Sequence, residues 1–105
     1  MSAKLISHGP FLALLLNTSN LQQRFLLRSL TTDQLKVVVE ILMNLLLITE
    51  GLTAEQTAFI KKRKSFLRHF VRTKSLGYKK QYLKKHGAQA LGVLNFFGDK
   101  IMELL

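Results

Sequence analysis

Eleven of the fourteen residues from 35 to 48 are apolar, and they go nearly all the way round a helix: Leu35, Val37, Val38, Val39, Ile41, Leu42, Met43, Leu45, Leu46, Leu47 and Ile48. A helix with so little polar face must be covered by other segments or by a second copy of the chain. The three valines would also suit a strand, but the length and the flanking residues favour a helix. Thr31 and Gln34 have capping-box spacing, and Asp33 suits the positive end of the helix dipole. Glu50-Gly51 closes the segment, with Gly51 placed for a left-handed C-terminal residue.

The other segments read as helices that could cover this one. Pro10 suits a first turn, so a short helix is expected over 10–16 after a loose start at 1–9. Asn17-Thr18-Ser19-Asn20 offers N-caps for a helix over 21–29, with Phe25, Leu26 and Leu30 inward and Arg24 and Arg28 outward. Thr53 and Gln56 form a second capping box opening a helix over 54–73. A shorter helix over 75–85 turns Leu76, Tyr82 and Leu83 inward and ends at His86-Gly87, with Gly87 as its left-handed terminator. Residues 88–105 repeat Leu91, Leu94, Phe97, Ile101, Met102 and Leu105 at helical spacing, with Gly92 and Gly98 allowing a kink. The expected fold is all-α: one domain spanning 1–105, a small bundle of five or six helices around the central apolar helix.

A length of 105 residues allows a modest core, and 48% hydrophobic content with one proline argues against a disordered chain. The absence of cysteine excludes disulfides and thiolate chemistry. The longest apolar block is too short to span a bilayer, and residues 11–16 are short for a signal-peptide core. A soluble, non-secreted protein with membrane contact unlikely is therefore expected.

All of the net charge of +10 comes from one block. Residues 61–85 hold eleven cations, Lys61, Lys62, Arg63, Lys64, Arg68, Arg72, Lys74, Lys79, Lys80, Lys84 and Lys85, and no acid. Residues 1–60 sum to zero and residues 86–105 to −1. A field concentrated in this way points to a polyanion. The block is a folded surface, since at about 100° per residue Phe59, Ile60, Phe66, Leu67, Phe70 and Val71 share one side. Lys61, Lys64, Arg68 and Arg72 share a stripe on the other. Arg63 falls in the apolar arc, where it must snorkel or find a carboxylate. Tyr78 and Tyr82, interleaved with the lysines, suit either base stacking or packing, with packing the commoner use.

No constellation for catalysis is present. His8, His69 and His86 are far apart in sequence and have no cysteine partners, so zinc spacing is absent. The six acids do not pair for two-carboxylate chemistry, and no glycine loop cradles a phosphate. A non-enzyme without cofactor or metal is expected. Lys61-Lys62-Arg63-Lys64 also matches a nuclear-localisation tetrad, a pattern that any basic helix satisfies. Lysines at phosphates give affinity without sequence reading, and Gln81 alone on the second basic helix has a side chain suited to bases. The eleven cations are thus the candidate contacts to the phosphate backbone of a nucleic acid.

The order of segments adds a resemblance. Gln22-Gln23-Arg24 and Leu26-Leu27-Arg28 are followed by Asp33-Gln34-Leu35, an apolar helix with Glu40 and Asn44, and Leu52-Thr53-Ala54-Glu55-Gln56. Then come the block with Phe66-Leu67-Arg68, Lys74-Ser75-Leu76 with Lys79-Lys80, then Leu83, Lys84, Lys85 and Gly87, and an apolar tail. Over residues 20–105 this is similar to the small basic proteins of Polinton/Maverick elements and adintovirus-like viruses, themselves likened to the adenovirus core condensing peptide. The chain departs from that pattern at Val39 and Ile41, where the family's central helix often carries cysteines, and at Gly87-Ala88, where Gly-Gly is usual. The resemblance implies a virion-internal protein that packages double-stranded DNA, found in the virion and host nucleus. Its DNA contacts would be Lys61–Lys64, Arg68, Arg72, Lys79, Lys80, Lys84 and Lys85. Capsid proteins are additional partners on this reading, while the amount of apolar surface points to further copies of the chain. Two rivals remain: a membrane-active or capsid-bridging protein using residues 88–105, and a helical adaptor that binds no nucleic acid.

Overall fold

Side-chain caps set where four of the described helices begin. In a computed structural model, which describes residues 7–47, 51–73 and 75–103, α1 (Gly9–Asn17) carries Pro10 in its first turn. α2 (Asn20–Arg28) is capped by the Ser19 hydroxyl, which accepts from the Gln22 N–H. α3 (Thr32–Leu47) starts at a reciprocal box: Thr31 N–H donates to Gln34 Oε1 at 3.0 Å and Gln34 N–H to Thr31 Oγ1 at 3.1 Å. α4 (Ala54–Lys62) repeats the device with Thr53 and Gln56 at 2.9 and 3.1 Å. α5 (Lys64–Arg72) follows directly, α6 (Leu76–Lys85) is capped by Ser75, and α7 (Gly87–Phe96) and α8 (Gly98–Glu103) close the chain. No strand occurs among the described residues, so the fold is all-α.

α3 is the centre of the core. Its Leu35, Val37, Val38, Ile41, Leu42 and Leu45 are buried, and α5 and α6 pack against it. α2 packs on α1, α6 and α7. One side of α3 stays open: Lys36 and Asn44 are exposed and Glu40 half-buried, each four residues from the next, with Met43 and Leu47 beside them at the surface. The expected apolar tail is core. Ala90, Leu91, Val93, Leu94, Phe97 and Ile101 are all buried.

The architecture departs from expectation in several places. Eight helices are described, rather than five or six, because two expected helices are broken. The helix expected over 54–73 divides at Arg63, with no proline or glycine at the break. Turning at Arg63 lets Phe59 stack on Phe96, with ring centroids 3.9 Å apart, while Phe66, Leu67 and Phe70 are buried. Each buried Phe or Leu is worth about 1.5–3 kcal/mol, against roughly 1 kcal/mol for a lost backbone hydrogen bond. The segment expected over 88–105 breaks at Phe97, directly before Gly98, one of the two glycines expected to allow a kink.

Phe25, expected inward, is 70% exposed, whereas Gln23 is buried. Gln23 Nε2 donates to the Leu15 carbonyl at 2.9 Å and to Asn95 Oδ1 at 2.7 Å, and Asn95 Nδ2 donates back to Gln23 Oε1 at 3.1 Å. This satisfied amide pair rotates α2 so that Gln23 and Leu27 face the core. Gly51 has the expected positive φ of 77°. Gly87 does not, and begins α7 instead of terminating α6. Residues 1–6 of the expected loose start, together with Ile48, Glu50 and Leu105, lie outside the described residues.

Candidate nucleic-acid interface

Because the chain turns at Arg63, the expected basic stripe is divided. Lys61 belongs to α4, while Lys64, Arg68 and Arg72 follow one another by four residues on α5. All four are exposed. Lys64, Arg68 and Arg72 line a trough of about 300 Å³ with Leu46, Leu47 and Val71, and no acid among the described residues lines it. α5 is thus strongly two-sided: Phe66, Leu67 and Phe70 are sealed against the core while the cations face solvent. Lys62, Lys84 and Lys85 are also exposed, and Lys80 is half-buried. Lys74 lies outside the described residues.

Arg63 finds an aromatic partner rather than a carboxylate. Its guanidinium carbon lies 3.5 Å from the centroid of the Phe59 ring, and Nη1 donates to the Phe59 carbonyl at 3.2 Å. This cation–π contact holds the half-buried side chain at the turn between α4 and α5.

Lys79 does not belong to the surface set. It is only 6% exposed, and its ammonium donates to the carbonyls of Phe70 at 2.6 Å and Val71 at 2.9 Å. These groups belong to the last turn of α5, where carbonyls lack helical partners and a cation is favoured. Desolvation pushes the Lys79 pKa below its usual 10.5. Its position was readable from spacing, since Leu76, Tyr82 and Leu83 flank it at helical intervals on the inward face. Lys79→Met keeps the stem and removes the donors, leaving two carbonyls unsatisfied. It should cost about 1–3 kcal/mol, and a thermal melt should show a loss of about 4–8 °C for each kcal/mol. The salt dependence of DNA binding should not change. An unchanged melting temperature would return Lys79 to the surface set.

Tyr82 is committed to packing. Its ring centroid lies 4.5 Å from that of His69, 4.4 Å from His86 and 5.7 Å from Phe66. Tyr78 is exposed and remains open to solvent. His69 is a surface residue resting on Tyr82, and among the described residues no group of three or more His, Cys, Asp or Glu is placed to hold a metal. No helix among them is long and apolar enough to cross a membrane.

Two cations outside the basic block come to the same surface as part of it. Arg24 and Arg28, exposed on α2, line a groove with Lys84 and Lys85 at the end of α6. Summing charge along the chain conceals them, because residues 1–60 are neutral overall. The packing of α2 on α6 and α7, secured by Gln23 and Asn95, brings them there. Compared with known protein families, curated proteins and solved structures, the chain matches none.

Proposed function

We propose that this protein binds double-stranded DNA through its phosphates, without sequence specificity, and condenses it inside a virion, as the resemblance to the Polinton and adintovirus proteins implies. The observation that carries this reading is the set of seven exposed cations on α4, α5 and α6 (Lys61, Lys62, Lys64, Arg68, Arg72, Lys84 and Lys85), drawn from a stretch without a single acid. A solubilising surface usually mixes signs. An unmixed cationic one releases counterions from a polyanion. Five of the seven fall in two places, Lys64, Arg68 and Arg72 at the α5 trough and Lys84 and Lys85 at the end of α6, which share no lining residue. Two contact regions on one molecule suit the bridging of duplex segments that condensation requires.

Titrating duplex DNA at a series of salt concentrations tests the reading. If about half of the block's cations reach phosphates, log affinity should fall against log salt with a slope of roughly −5. Random and AT-rich duplexes should bind equally, because phosphate contacts carry no sequence information. Absence of binding at physiological salt would put the adaptor reading first. Leu21 and Phe25, one turn apart on α2 and 80% and 70% exposed, are the surface such an adaptor would offer to a protein partner.

A further inference from the structure

We propose that Arg24, Arg28, Lys84 and Lys85 form a discrete pocket for a single backbone phosphate of the nucleic acid, at the start of α7. This assignment rests on the DNA-binding reading and adds to it a place where several cations share one anion. The groove holds about 200 Å³, smaller than the roughly 300–1,000 Å³ typical of clefts for organic ligands. Its four charged side chains come from two helices distant in sequence, and no acidic side chain among the described residues lines it. Arg24 and Arg28 stand at i, i+4 and face Lys84 and Lys85 across the groove, so the unliganded arrangement is mutually repulsive. An anion between them relieves that repulsion, and arginine suits the forked recognition of phosphate oxygens.

The backbone supplies a second argument. α7 begins without a side-chain cap. Gln89 and Ala90 close their N–H groups on the His86 carbonyl at 3.1 and 3.2 Å, but no side chain caps those of Gly87 and Ala88, both of which line the groove. The positive end of a ten-residue helix therefore adds to the four side chains. Gly87 lacks a positive φ, and a Cβ placed there would meet nothing within 4 Å. Neither backbone conformation nor packing requires glycine at this position. An anion approaching the main chain closely is a reason for it.

Charge removal and additivity together test the pocket. Duplex binding is measured across salt for the parent, Arg24→Gln/Arg28→Gln, Lys84→Gln/Lys85→Gln and the variant carrying all four changes, with thermal melts as the check on folding. Four cations sharing one phosphate predict a slope shallower by only about one in the fourfold variant, since one phosphate is lost. Affinity should fall roughly tenfold, and the two pairs should be non-additive, each producing most of the loss. The Gly87 and Ala88 amide resonances of the parent should shift on adding duplex and stay fixed in the fourfold variant. Additive pairs with a slope shallower by three or four would mean independent surface charges and overturn the pocket. Unchanged affinity or unmoved amides would do the same while leaving DNA binding by α5 intact. A parent that binds no duplex overturns the DNA reading itself, and this assignment with it. Should the arginine pair prove to be needed for folding, the lysine pair, exposed at the end of α6, carries the test through its own slope and the same amides.

Discussion

Replacing Lys61, Lys64, Arg68 and Arg72 together by glutamine should weaken duplex binding by the same factor on every sequence and make the salt slope shallower by about three or four. All four are exposed, and none of the apolar side chains beneath them is altered. Glutamine keeps helix propensity close to that of lysine and arginine. Stability should hold or rise, because Lys64, Arg68 and Arg72 repel one another at i, i+4, each such pair costing about 0.2–0.5 kcal/mol. Binding isotherms on random and AT-rich duplexes, read beside thermal melts, check both halves. A variant that binds as tightly as the parent at physiological salt would exclude α5 from the interface and favour the adaptor reading. This test is separate from that of the groove at the start of α7, because the four substituted residues do not line it.

The largest effect on stability should come from Leu42→Asp. Leu42 has no exposed surface and sits in the middle of α3, against which α5 and α6 pack. No cation is buried beside it to pair with a carboxylate, since Lys79, the buried cation among the described residues, is engaged with the end of α5. Burying an unpaired polar or charged group costs several kcal/mol even after relaxation, out of a total stability of about 5–15 kcal/mol for an ordinary domain. The variant should lose its cooperative melt by far-ultraviolet circular dichroism. A melting temperature equal to that of the parent would show that α3 is not the centre of the core.

Local chemistry in the chain was enough to specify the helical class, the side-chain-capped helix starts and most of the core. Thr31 with Gln34 and Thr53 with Gln56 close hydrogen bonds within a few residues, so their effect does not depend on the rest of the fold. The spacing of Phe66, Leu67 and Phe70 likewise sets which face of α5 is buried, and therefore which cations reach solvent. Other features follow from contacts between segments distant in sequence. The turn at Arg63 goes with the stacking of Phe59 on Phe96, thirty-seven residues away. The inward face of α2 is decided by Gln23, whose partner Asn95 lies seventy-two residues away. Charge read along the chain counts Lys79 as surface and Arg24 and Arg28 as part of a neutral half. Packing takes Lys79 inside to the carbonyls of Phe70 and Val71, and brings Arg24 and Arg28 beside Lys84 and Lys85. Charge is a property of the residue, but the surface that it lines depends on which helices pack together.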